Sequence, residues 1–185
     1  MPHRLATRTP ASTRLAVALA GAAALLALAG CATPAVGPTA SADLMPTNGN
    51  TANGTVQFVQ LGGAVRVSGT IKGLQPNTEV GFHIHEKGDC SSGDGMSAGG
   101  HFNPTGKPHG HAGEPASHAG DLPSLRADAT GTATFAAELR SIAVGSGPTD
   151  VVGRGLIVHR DKDDYVTQPT GNAGPRLACA VIVKR

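Results

Sequence analysis

Val65-Arg66-Val67-Ser68-Gly69-Thr70-Ile71-Lys72 alternates apolar or small residues with polar ones at every second position. Successive side chains of an extended chain point to opposite faces. The pattern therefore predicts a strand with Val65, Val67, Gly69 and Ile71 on one face and Arg66, Ser68, Thr70 and Lys72 on the other. Working outward, a second strand is expected at Thr55–Leu61, across the turn signal Gly62-Gly63. Others are expected at Glu79–Glu86, Leu122–Ala127, Thr132–Leu139, Leu156–Arg160 and Leu177–Val183, with turn-forming groups such as Pro76-Asn77 and Asp128-Ala129-Thr130-Gly131 between them. After the first thirty residues no segment has the periodicity of a long amphipathic helix. Seven or eight short strands in about 140 residues predict an all-β sandwich or barrel with antiparallel pairing.

Two stretches interrupt the strand rhythm. Residues 86–121 and 161–176 are Gly-rich and unpatterned, and a compact domain keeps loops of that length for function or leaves them disordered. Glycine (26) and proline (13) make up about a fifth of the 185 residues, which fits many turns and stays below the level expected of low-complexity disorder. The aromatic residues are Phe58, Phe82, Phe102, Phe135 and Tyr165, too few for a platform that stacks single-stranded bases. The formal charge of +2 comes from Arg4, Arg8 and Arg14; the rest of the chain has one more acid than base. Nothing there would hold a phosphate polymer, so nucleic acid is excluded as a partner.

The histidines carry the chemistry. His83 and His85 stand two apart in Gly-Phe-His-Ile-His-Glu, so a strand projects both rings from one face while Phe82 and Ile84 point to the other. The first long loop adds His101, His109 and His118, with Asp121 three residues after the last, and His159 ends the apolar run Leu-Ile-Val-His. Several imidazoles and one carboxylate suit zinc or copper far better than magnesium or calcium. His111 stands two residues after His109, and spacing alone leaves either of them able to face the cluster.

With these residues in place, the sequence resembles the copper/zinc superoxide dismutases of the bacterial periplasmic lipoprotein type. The resemblance is carried by Gly81-Phe-His-Ile-His-Glu86, Gly99-Gly-His-Phe-Asn-Pro104, His118-Ala-Gly-Asp121, Val158-His159 and Gly171-Asn-Ala-Gly-Pro-Arg-Leu-Ala-Cys179, and covers about residues 54 to 185. It implies an immunoglobulin-like Greek-key sandwich or barrel with two long functional loops. It also implies one copper per subunit held by His83, His85, His101 and His159, and one zinc held by His101, His109, His118 and Asp121, with His101 bridging the two ions. Only an imidazole offers a nitrogen to each of two cations. Asp163 matches the carboxylate that links a copper-side to a zinc-side histidine, and Arg176 the fixed cation that attracts a small anion.

The reaction implied is dismutation of superoxide: one molecule is oxidised to dioxygen and a second, with two protons, is reduced to hydrogen peroxide. His101 would accept a proton in the reduced half of the cycle, making it catalytic together with Arg176. Zinc has no redox chemistry, so its role would be structural and electrostatic. The same donor set would also serve a second reading, a periplasmic lipoprotein that binds copper or zinc without turnover.

Residues 1–30 read as an export signal: three arginines, then the apolar run Leu15–Ala29, which is shorter than the roughly twenty residues of a spanning helix. Leu28-Ala29-Gly30-Cys31 resembles the bacterial lipoprotein box, which implies acylation of Cys31 and anchoring of the protein to a membrane. Residues 31–41, small and proline-containing, are expected to form a flexible tether, and 42–185 the dismutase domain. Cys90 and Cys179 match the family's disulfide. The count agrees, because if Cys31 carries lipid these two remain as a pair in an oxidising compartment. Ala32 is not an acidic retention signal, so the expected place is the periplasm, on the outer membrane, guarding the envelope against superoxide. The sequence leaves the oligomeric state open between monomer and homodimer.

Overall fold

The structure is a computed structural model that describes, apart from Met1, residues 36–185. The expected signal segment and Cys31 lie outside the described residues. Ten strands follow in chain order: β1 (Val36–Pro46), β2 (Asn53–Leu61), β3 (Ala64–Lys72), β4 (Glu79–Val80), β5 (Phe82–His85), β6 (Leu125–Arg126), β7 (Ala133–Leu139), β8 (Gly155–His159), β9 (Arg176–Val181) and β10 (Val183–Lys184). Eight belong to one sheet in the order β5-β8-β9-β1-β2-β3-β7, with β10 also paired to β1, while β4 and β6 form a small second sheet. All strand pairs are antiparallel. The chain passes from β3 to the far edge at β5 and from β7 back to β8, the long-range return that a Greek-key path requires.

The alternation read in β3 holds: Val65, Val67 and Ile71 are buried, and Arg66 and Lys72 exposed. Phe58 from β2 joins them in the core, and Phe82 meets Phe135 edge to face at 5.3 Å between ring centroids. Such aromatic pairs contribute roughly 0.5–1.5 kcal/mol beyond area burial.

Four expectations need correction. The sheet begins at Val36, inside the segment expected as a tether from 31 to 41 and ahead of the domain start expected at 42. Ala40, Ala42 and Leu44 are buried there at alternate positions, an apolar stripe disguised by alanines, and a register shift between Val36 and Thr39 takes up Pro38, which has no N–H to donate. The strand expected over 79–86 breaks at Gly81 into β4 and β5, which belong to different sheets. Of Leu122–Ala127 only Leu125–Arg126 pairs as a strand, since the Leu122 N–H goes to Phe82 O and Pro123 has none. The last strand divides at Ile182, whose N–H goes to Arg154 O, so β9 pairs with β8 and β10 with β1.

Candidate metal centre

β5 has Phe82 and Ile84 in the main core, which leaves His83 and His85 on its other face; all four are buried. The cover on that face is the first long loop, which returns twice to the strand. His101 bridges His85 and Asp121 bridges His83 as antiparallel partners, and Phe102 N–H and Ile84 N–H donate to Ile84 O and Gly120 O at 2.8 and 2.9 Å. Backbone pairing along one strand thus brings His101 and Asp121 to His85 and His83. From the other side β8 pairs with β5 and ends in His159, which is matched to Arg176 of β9. Cys90 and Cys179 are joined by a disulfide with Cα atoms 5.8 Å apart, tying the loop to β9.

Each of three rings is oriented by a fixed acceptor. His83 Nε2 lies 2.7 Å from Asp163 Oδ2, His85 Nδ1 2.9 Å from Gly99 O, and His159 Nδ1 3.1 Å from Gly174 O. Carboxylates and carbonyls only accept, so those nitrogens carry the protons and the opposite nitrogen of each neutral ring keeps a lone pair. These lone pairs converge without a donor to meet them. His85 Nε2 and His159 Nε2 stand 3.4 Å apart, and His83 Nδ1 and His101 Nε2 are buried with no hydrogen-bond partner among the described residues. Ligand atoms of His83, His85, His101 and His159 all lie within 4.8 Å of one another. Inward lone pairs with nothing to accept from are costly unless a cation sits among them, which is the fit expected of a metal site.

A second set adjoins the first. Asp121 Oδ1 is 3.1 Å from His101 Nδ1, 3.0 Å from His109 Nδ1 and 3.4 Å from His118 Nδ1, and the His101 and His118 Nδ1 atoms are 3.4 Å apart. Asp121 Oδ2 accepts from the Gly110 and His118 N–H groups at 3.1 and 3.0 Å, which fixes the carboxylate. His83 is also near enough to group with His101, His109 and Asp121. Its Nε2 proton, however, is given to Asp163. His109 Nε2 reaches the other oxygen of Asp163 at 2.9 Å, so one carboxylate orients a ring in each set.

Burial pushes the His83 and His85 rings below their ordinary range. It takes His101 down to about 4 and, with the nearby His83, His159 down to about 3. His109 is the exception: burial opposes its charge, but hydrogen bonds to Asp121 and Asp163 override this and raise it to about 9. Burial would raise both carboxylates, yet the imidazole hydrogen bonds hold Asp121 and Asp163 well below the usual range. Arg176 is half buried, its guanidinium donating to Gly95 O and Gly99 O at 2.6 Å each, and its charge contributes to depressing His85 and His159.

His109, not His111, faces the cluster; His111 is exposed and stacked on Tyr165 at 3.9 Å. Two residues of the second long loop had escaped the sequence reading. Gln168 binds both main-chain polar groups of His109, and Gly171, at φ 65, lies so close to Asp163 Oδ1 and His109 Nε2 that a Cβ would overlap them. Neither had a signal in the sequence beyond the position of Gly171 at the start of a motif already quoted.

The family model for copper/zinc superoxide dismutase (SODC) matches residues 52–182. The chain belongs to the copper/zinc superoxide dismutase family. The extracellular superoxide dismutase [Cu-Zn] of Brugia pahangi is 41% identical over 153 residues, covering 78% of this chain and 75% of that one. Superoxide dismutase [Cu-Zn] 2 of Aquifex aeolicus (strain VF5) is 35% identical over 147 residues, covering 77% and 85%. Among solved structures, the one titled as the clock protein EA4 superposes with a TM-score of 0.72 at 41% identity, over 83% of this chain and 97% of the other. An all-β fold of this family with copper and zinc as its metals agrees with a group of four histidines beside a second group in which His83, His101, His109 and Asp121 converge; His118 belongs to neither group and reaches the second through its contacts with Asp121 and His101.

Proposed function

We propose that this protein converts superoxide to dioxygen and hydrogen peroxide, with copper held by His83, His85, His101 and His159 and zinc by His101, His109, His118 and Asp121. The observation that carries the reading is the set of inward lone pairs on the four copper-side rings, three of them fixed by acceptors behind them. When bound, copper supplies a one-electron couple that takes an electron from one superoxide and gives it to another, while zinc supplies charge without redox chemistry.

The chain's own residues do the rest. His101 is common to both donor sets, and its low pKa keeps the ring neutral at pH 7, leaving one proton to lose before both nitrogens are free. Its Nε2 is then the atom able to take up and return a proton at the cluster. Arg176 uses N–H groups on two carbonyls and keeps others free for an incoming anion, with a charge that no physiological pH removes. Asp163 fixes His83 and His109 in the tautomers that ligation needs.

The finer reading is an exported lipoprotein of bacterial periplasmic type, with a signal over 1–30, acylated Cys31 and a membrane anchor on the outer membrane. It rests on the basic and apolar opening and on Leu28-Ala29-Gly30-Cys31. The disulfide supports an oxidising compartment. The test is superoxide consumption by purified residues 32–185 with both metals quantified on the same sample. One copper, one zinc and turnover abolished by removing copper are expected; bound metal without turnover would mean a metal-buffering lipoprotein instead. Cys31→Ser should release the protein from membranes, and persistent association would mean that the apolar segment is uncleaved.

A further inference from the structure

We infer that Tyr165 is a positioning residue for the zinc side of the centre, and that the extra histidine, His111, serves it as a clamp and not as a ligand. The inference rests on the proposed ligation of zinc by His109. Tyr165 lies on the second long loop at φ 60, a left-handed conformation in which a bulky side chain is strained. The other two non-glycine residues described at positive φ are Asn77 and Asn172, and asparagine tolerates that region. An aromatic residue stays there only where its surroundings over-determine it. Two contacts do so here. The Tyr165 ring lies against the His111 ring, with centroids 3.9 Å and planes 24° apart, and its hydroxyl donates to Ser124 Oγ at 2.7 Å. The first long loop thus holds the face of the ring, and the residue that leads into β6 holds its tip.

What the strained backbone delivers is one N–H. Tyr165 N–H donates to Asp163 Oδ1 at 2.7 Å, and the same oxygen accepts from His109 Nε2 at 2.9 Å, while Oδ2 faces His83. The oxygen that orients the proposed zinc ligand is therefore the one that Tyr165 fixes. His111 stands two residues from His109, so the contacts close a small circuit: His109 to Asp163, to Tyr165, to His111, and back along the chain. Ala112 packs against the main core and steadies the His111 end. Stacking asks for a flat ring at position 111 and makes no use of its nitrogens, whereas ligation needs a nitrogen. That difference separates a clamp from a ligand.

The chain has one tyrosine and no tryptophan, so tyrosine emission reports on Tyr165 itself. The experiment titrates zinc into the metal-free, disulfide-intact protein, reads affinity by chelator competition and follows that emission. In the wild type the emission should change as zinc binds, since linkage requires zinc to tighten a contact that tightens zinc. His111→Ala should weaken zinc by roughly two- to tenfold, the change expected for one lost aromatic contact, and flatten the emission response. His111→Phe keeps a flat ring without nitrogens and should retain the wild-type affinity and a zinc-dependent emission change. Tyr165→Ala gives up the Ser124 bond as well and should lose more affinity than His111→Ala. Wild-type affinity in His111→Ala, or a loss in His111→Phe as large as in His111→Ala, would overturn the inference. A wild-type protein that binds no zinc defeats the functional reading first, and this inference with it.

Discussion

Gln168 holds His109 by both of its main-chain polar groups: the His109 N–H donates to Gln168 Oε1 at 2.7 Å, and Gln168 Nε2 donates back to the His109 carbonyl at 3.0 Å. The clamp joins the two long loops across 59 residues of sequence and fixes the backbone of a proposed zinc ligand. Gln168→Ala should keep the fold and weaken zinc binding by about tenfold, the lower end of what lost outer-sphere support costs. Chelator competition reads this directly. Gln168→Glu keeps the acceptor and loses the donor, so an intermediate affinity is expected; wild-type affinity in both variants would show that the loop holds His109 without the clamp.

Gly171→Ala should destabilise the protein even without metals. At φ 65 an alanine is strained, and its Cβ would overlap both Asp163 Oδ1 and His109 Nε2. Backbone strain of this kind costs about 1–3 kcal/mol and overpacking a similar amount. Denaturant unfolding of the metal-free variant measures the sum, and an unchanged midpoint would mean that the second loop shifts freely.

The metal-free protein should be most stable near pH 6.5. His101 at about 4 and His159 at about 3, with His83 and His85 also lowered, refuse protons that the unfolded chain takes up below 6.5, so stability falls as the pH drops towards those values. Each proton refused contributes a slope of about 1.4 kcal/mol per pH unit. His109 runs the other way: raised to about 9, its contribution is complete below 6.5 and lost as pH rises through 9. The depressed carboxylates Asp121 and Asp163 contribute above their unfolded value of 3.8 and lose that contribution only below it. Tm against pH for chelated protein tests the sequence of events, and a flat profile between 6.5 and 4 would contradict the buried, neutral rings.

Arg176→Ala should lower kcat/KM for superoxide and reduce its dependence on salt, while both metals stay bound. Arg176→Lys should recover only part of the rate, since one ammonium cannot bind Gly95 O and Gly99 O as a planar fork does. An unchanged salt dependence in Arg176→Ala would remove this residue from anion capture.

Much of the fold was legible because β2, β3 and β7 write their two faces in residues of unlike polarity. β1 was not, because its core face is made by Ala40 and Ala42, which look the same in a linker as in a sheet. His83 and His85 could be placed on one face from spacing alone. His109 and His111 could not be told apart that way, since what separates them is Gln168 and the Gly110 N–H on Asp121, contacts made by distant chain. The parts of the site fixed by neighbours in sequence were readable, and those fixed by the second loop needed the folded molecule.

The single carboxylate of Asp163 has a thermodynamic consequence. It accepts from His83 with one oxygen and from His109 with the other, so the ring that would serve copper and the ring that would serve zinc lean on the same anion. Ordering one half therefore orders the other in advance. Filling the zinc position should tighten copper binding, and linkage requires copper to tighten zinc by the same factor. Exchange of Asp163 for asparagine, which cannot accept from both rings in the same way, should break that reciprocity and leave the two affinities independent.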